Sequence, residues 1–328
     1  MKRKILILDH VTHPNIESEI LGDEFEVTCL SLIPKEEQNQ YLNSAQGLLV
    51  WHQEIDSELL NKLHNCKIIV RYGTGFDNVE LKVSRALGID VCNTPDYGID
   101  EVADATCAMI LNFIRQLKYM SNEYIKGNIE WAKPSQIELR RTSEHKLGVI
   151  GLGRIGSSVA LKMKAFGISV GFYDPYVSRG IEKSYGVKRF ESLAELQRNS
   201  SIITVHTPLN SETNSLIDEK FIANMNLQTI LINNSRGGLF KNLDVLLDGL
   251  KSNQISFLGL DVAPEEPLNK NNNFFKALED NSGEVSSRII LTPHLSYYSE
   301  QSWPEMRSKA SLNIKNALNG STPLNIVN

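Results

Sequence analysis

Short apolar, β-branched runs alternate with stretches of helical periodicity along the whole chain. Residues 4–8, 25–30, 47–51, 67–71 and 90–92 read as buried strands, with helical patterns at 56–63 and 78–87. Uniformly apolar strands separated by helices predict a parallel sheet covered on both faces. A longer helical pattern starts near Asp100. Asp100 and Glu101 suit its first turn, and Ala103, Cys107, Ile110, Leu111, Ile114 and Leu117 form one stripe that fades towards Gly127. The polar stretch 128–144, with Pro134 and Arg140-Arg141, predicts a surface excursion whose basic residues are solvated.

A second strand–helix series follows, with strands expected at 147–150, 169–173, 202–205, 229–233, 257–261 and 289–291. Residues 268–287, rich in Asn, Lys and Glu, predict a loop around a short helix at 274–278. The final helix has Pro304 in its first turn, a stripe of Met306, Ala310, Ile314 and Ala317, and a stop at Gly320.

A length of 328 residues suits two such units and allows a core that needs no disulfide or metal. The 34 basic and 39 acidic residues leave a net charge of −5, which argues against a nonspecific nucleic-acid or anionic-membrane partner. No run approaches the roughly 18 apolar residues of a membrane span. After Lys2-Arg3-Lys4, the apolar run stops at Asp9-His10, too soon for an export signal. Cys29, Cys66, Cys92 and Cys107 are scattered, with no metal or redox spacing, and read as buried thiols. The expected location is the cytoplasm.

Gly151-Leu152-Gly153-Arg154-Ile155-Gly156 directly follows an expected strand and opens a helical pattern. In that context Gly151 permits the tight turn, Gly153 lets backbone approach a pyrophosphate, and Gly156 lets helix pack on strand. The helix N-terminus favours phosphate. Asp174 ends the next strand, where a carboxylate accepts from a ribose hydroxyl and repels a 2′-phosphate, so the expected cofactor is NAD. In isolation, Asp174 before Pro175 would be an ordinary turn residue.

Asn234-Ser235-Arg236, Asp261 with Glu266, and Thr292-Pro293-His294 each follow an expected strand, where open α/β sheets bind ligands. An imidazole can exchange a proton near neutral pH, so His294 is the candidate acid and base. Glu266 would hold its ring charged and oriented. The planar fork of Arg236 suits a carboxylate and a carbonyl oxygen. His10, His13, His64 and His145 have no such company.

Ile68-Ile69-Val70-Arg71-Tyr72-Gly73-Thr74-Gly75-Phe76-Asp77-Asn78, Lys164-Ala165-Phe166-Gly167, Phe172-Tyr173-Asp174-Pro175-Tyr176 and Tyr298-Ser299-Glu300-Gln301 extend the pattern over nearly the whole chain. Together with the glycine motif, they closely resemble the D-isomer-specific 2-hydroxyacid dehydrogenases, particularly the branch that includes the C-terminal-binding proteins. The resemblance implies two Rossmann-like or flavodoxin-like domains. Residues 1–100 with 296–328 would be the substrate domain, and 101–295 the inserted NAD-binding domain. It implies NAD-linked interconversion of a small 2-keto acid and a D-2-hydroxy acid, and a homodimer built on the cofactor domains. The alternative it implies is an NADH-responsive binding module like the co-regulators of that branch.

The same resemblance assigns Arg71 and the amides around Gly73, Thr74 and Gly75 to the substrate carboxylate, and His52 to the substrate pocket. It sets Thr74, Thr106, Arg154, Ile155, Asn234, Ser235, Arg236 and His294 against the cofactor. His206, Thr207 and Pro208 would line the adenine side, and Asp261 would bond the carboxamide. Two residues depart from the pattern: Asn234 replaces the usual Thr, and Tyr297 replaces the Trp of the co-regulator branch in the pocket wall. The triad does not separate keto-acid reductases from phosphite dehydrogenases, whereas a formate dehydrogenase would carry Gln in place of Glu266.

Overall fold

A computed structural model describes residues 2–133, 137–280 and 284–328. Pro134 and the middle of the Asn-rich 268–287 segment lie outside them. The chain divides into two compact units, Met1–Gly98 with Tyr298–Asn328, and Ile99–Tyr297.

The first unit carries β1 (Arg3–Ile7), β2 (Phe25–Cys29), β3 (Gly47–Val50), β4 (Ile68–Arg71) and β5 (Asp90–Cys92). They form a parallel sheet of order β2-β1-β3-β4-β5. β3 and β4 are buried along their whole length, because helices cover both faces of the sheet. The terminal helix Ser302–Leu318 packs on β3, β4 and the helix Asn15–Leu21. It turns Met306, Ala310 and Ile314 fully inward and gives way to Gly320 in the left-handed region at φ 88°.

The second unit carries β6 (Lys146–Ile150), β7 (Ser169–Tyr173), β8 (Lys188–Arg189), β9 (Ile202–Val205), β10 (Thr229–Asn233), β11 (Ile255–Leu260) and β12 (Ile289–Leu291). Its order is β12-β11-β10-β9-β6-β7-β8, again parallel. The winding reverses between β6 and β9, which opens a crevice at their carboxyl ends. The two-residue β8 is too short to leave a hydrophobic signature, and the sequence reading had no strand there. The helix at Asn273–Glu279 does form.

The long helical pattern differs from expectation. The first helix, Ile99–Arg115, buries Ala103, Cys107, Ile110 and Ile114, but Gln116 adopts φ 49° and breaks it. A second helix, Leu117–Ile125, restarts with its phase reset, so Leu117 is 55% exposed rather than continuing the stripe. All four cysteines are free and buried. Among the described residues, no helix is long and apolar enough to cross a membrane, and no cluster of three metal-ligating side chains occurs.

Candidate active site

In the second unit, the candidate residues lie on loops leaving the carboxyl ends of β6, β7, β9, β10, β11 and β12. The three motif glycines meet different demands. Gly151 turns at φ 89° beneath the His206 carbonyl. A Cβ on Gly156 would sit 2.0 Å from the Gly151 oxygen, so helix and strand close only without a side chain. A Cβ on Gly153 would meet nothing within 4 Å. The protein's own packing therefore does not require glycine there, whereas a backbone-hugging ligand would. Behind it, the helix Arg154–Ala165 begins with no side-chain cap and no acidic residue in its first turn, a favourable end for an anion. Arg154 is exposed and Ile155 half-buried at that end.

Asp174 closes the turn expected of it and also holds the glycine loop. One carboxylate oxygen accepts from Tyr176 N–H at 2.9 Å and Val177 N–H at 3.2 Å, closing the turn around Pro175. The other accepts from Leu152 N–H at 2.9 Å, tying β7 to the glycine loop. Across the crevice, His206 Nε2 pairs with Thr204 Oγ1 at 2.9 Å, while its buried Nδ1 has no protein partner. Burial of the ring lowers its pKa to about 3, which keeps it neutral. Thr207 is half-buried, and exposed Pro208 accepts from Thr213 Oγ1 at 2.6 Å through its carbonyl.

After β10, Asn234 is buried and donates to Thr106 Oγ1 at 3.1 Å, and Thr106 passes its own proton to the Val102 carbonyl. The Asn234 carbonyl oxygen is buried without a partner. Asn233, to which the sequence reading gave no role, locks this loop. Its oxygen accepts from the Ser235 N–H at 3.0 Å and hydroxyl at 2.7 Å, and its amide donates to the Arg236 carbonyl at 2.9 Å. The signal that could have found it is a polar residue ending a fully apolar strand.

Glu266 and His294 come together as expected, His294 Nδ1 lying 2.7 Å from Glu266 Oε2. The other Glu266 oxygen accepts from Ala263 N–H at 2.8 Å. Partial burial pushes the Glu266 carboxyl up. The His294 hydrogen bond and charge, the Ala263 amide and the nearby Arg236 charge outweigh it, so the pKa is lowered overall. His294 itself sits at φ 55°, in the left-handed region that histidine enters more readily than most residues. The buried Asp261 holds it there, accepting from Thr292 Oγ1 (2.5 Å), Leu295 N–H (3.0 Å) and Ser296 N–H (2.9 Å). In this structure, then, Asp261 clamps the His294 loop, a bond set that the sequence reading did not anticipate. Tyr297 is buried at 8% exposure just beyond.

The first unit carries the other candidates. Arg71 is buried and donates through Nε to the Trp51 carbonyl at 3.1 Å. Its guanidinium lies so close over Gly73, at φ 119°, that a Cβ there would stand 1.9 Å from a guanidinium nitrogen. Thr94 and Asn93 tie down the backbone of Gly73 and Thr74 at 2.6 Å each, leaving Thr74 exposed and Gly75 half-buried. His52 is exposed and stacks on Trp51 at 4.9 Å.

An uncapped helix start, an unfilled space over Gly153 and an orphaned buried carbonyl at Asn234 together fit a dinucleotide lying across β6, β9 and β10. A family model for the D-isomer specific 2-hydroxyacid dehydrogenase NAD-binding domain matches residues 107–296. The second unit is thus an NAD-binding domain, and the chain belongs to the D-isomer specific 2-hydroxyacid dehydrogenase family.

Over 315 residues the chain is 29% identical to C-terminal-binding protein 1 of Caenorhabditis elegans, covering 94% of this chain and 42% of that protein. Over 326 residues it is 31% identical to D-3-phosphoglycerate dehydrogenase of Methanocaldococcus jannaschii, covering 99% and 59%. It spans about half the length of these relatives. Its fold is similar to that of a D-lactate dehydrogenase from Aquifex aeolicus solved with NAD and lactic acid. The TM-score is 0.84 with 30% identity, and 96% of each chain is covered.

Proposed function

We propose that the protein is an NAD-dependent dehydrogenase that interconverts a small 2-keto acid and a D-2-hydroxy acid. The observation that carries this reading is the 2.7 Å contact between His294 Nδ1 and Glu266. It sets a carboxylate against one ring nitrogen of an imidazole, a group that can exchange a proton with a substrate oxygen near neutral pH. NAD, when bound, supplies or accepts the hydride. Glu266, ionised through the neutral range, stabilises the imidazolium form of His294, which gives its proton to the carbonyl oxygen in reduction. In the opposite direction the neutral ring takes the alcohol proton. Arg236 binds and polarises the carbonyl and carboxylate of the substrate.

Asp174 favours NAD over NADP by repelling a 2′-phosphate, and Asn234 offers its unpartnered oxygen to an amide donor. A homodimer through the Ile99–Tyr297 unit belongs to the same reading. It is supported by the exposed Ile125 (79%) and Trp131 (81%) and is checked by sedimentation.

The test is loss of NADH absorbance with a panel of 2-keto acids whose side chains are short, branched, aromatic or thioether-bearing, with His294→Ala as control. Turnover lost in the variant supports the reading. Tight NADH binding without turnover of any acid would sink it and favour the NADH-responsive binding module instead.

A further inference from the structure

In the first sheet the winding reverses between β1 and β3, and the residue at the mouth of that crevice is Asp9. The sequence pattern treats Asp9 only as the end of an apolar run. In the structure its carboxylate, 14% exposed, accepts from three successive amides of the loop after β3. These are Trp51 N–H at 2.7 Å, His52 N–H at 2.5 Å and Gln53 N–H at 2.7 Å. Successive N–H groups of this kind make a concavity suited to an anion, and here the chain's own carboxylate fills it.

The loop so held carries His52 and accepts a hydrogen bond from Arg71, two of the residues assigned to substrate. The Trp51 carbonyl accepts from Arg71 Nε at 3.1 Å and from Asn78 at 3.3 Å. The Trp51 ring lies 4.5 Å from Trp303 and stacks with His52. His10, next to Asp9 and left-handed at φ 59°, presents its ring edge to both Trp51 and His52 at 5.2 Å, and its Nε2 lies 3.9 Å from the Asp9 carboxylate.

We infer that Asp9 is a positioning residue: through the 51–53 amides and the Trp51 carbonyl it sets the Arg71 guanidinium and the His52 ring for the carboxylate and side chain of a 2-keto acid. The inference rests on the proposed function for its consequence in turnover, but the linkage itself is a property of this unit alone. Asparagine cannot substitute, because its NH2 would oppose an amide N–H at one of the two carboxylate oxygens.

The experiment compares the full-length wild type with Asp9→Asn and Asp9→Ser, the second being smaller and free of the opposed donor. The Arg71 Nε–H signal, assigned by its loss in Arg71→Lys, is followed by ¹⁵N NMR, and KM, kcat and NADH affinity are measured alongside. The expected result is a shifted, faster-exchanging Arg71 Nε–H. KM for the keto acid should rise about tenfold or more, NADH affinity should stay unchanged, and only a smaller rise, through His52, should appear when Arg71→Lys is already present. An unmoved Arg71 signal in a folded Asp9 variant overturns the linkage. A moved signal with unchanged KM overturns its role in substrate binding. If the wild type turns over no keto acid, the proposed function fails while the NMR comparison still decides whether Asp9 sets Arg71.

Discussion

Replacing Glu266 by Gln changes one charge and very little shape, and the structure says what that does to His294. The carboxylate uses both oxygens: one accepts from Ala263 N–H at 2.8 Å, the other faces His294 Nδ1 at 2.7 Å. An amide has one oxygen and one NH2. If the oxygen faces Nδ1, the NH2 opposes the Ala263 N–H, at a cost of about 1–3 kcal/mol for an unsatisfied, opposed donor. The site is about one-third solvent-accessible, so the lower end applies. If the oxygen instead keeps Ala263, the NH2 donates to Nδ1 and the ring proton moves to Nε2.

That tautomer is a poor acid for reduction and has no free base for oxidation. We expect kcat to fall about 100-fold or more in both directions, with KM for NADH unchanged. We also expect the acidic limb of the reduction profile to be lost, because an amide has no carboxylate to protonate. The native Glu266 pKa is lowered, so the ion pair is fully present above the ordinary carboxylate range and fades as pH falls through the lowered value. Initial rates of NADH loss and gain across pH test this. A loss smaller than about fivefold with an unmoved profile would refute the assigned partnership.

Three other outcomes follow from particular contacts. Gly153→Ala should leave the melting temperature nearly unchanged and weaken NADH binding, whereas Gly156→Ala should lower the melting temperature. Calorimetry with a fluorescence titration separates the two, since a Cβ meets empty space at the first and a carbonyl 2.0 Å away at the second. Glu17→Gln should destabilise the first unit by about 3–5 kcal/mol in denaturant titration. It strands the buried Arg307 guanidinium, bonded at 2.7 and 2.6 Å, and opposes the Tyr72 hydroxyl at 2.8 Å; combining it with Arg307→Met should recover part of the loss. Burial pushes the Cys66 and Cys92 thiols to about 12 and Cys107 to about 11, so a thiol reagent at pH 8 should label the native protein slowly and all four cysteines after unfolding.

Strand and helix positions were legible because burial on both faces writes itself as unbroken apolar runs. Ser169–Tyr173, Ile202–Val205, Thr229–Asn233 and Ile289–Leu291 begin and end where the pattern says. The glycine motif was legible because its chemistry is local: turn, close approach and helix start lie within six residues. The break at Gln116 was not, since nothing in its side chain requires a left-handed conformation. Nor was β8, which is held by pairing with β7 rather than by its own burial.

The sequence by itself determined which residue types stand at the ends of which strands, and so an acid, a base and two guanidinium groups at ligand-binding edges. Only the tertiary structure decided what each of them holds. Asp9 and the 51–53 amides are more than forty residues apart, Asp261 and the His294 loop more than thirty, and Glu17 and Arg307 nearly three hundred. The first two pairings depend on where parallel strands place their carboxyl ends side by side, the third on how two helices pack, and no local periodicity encodes either.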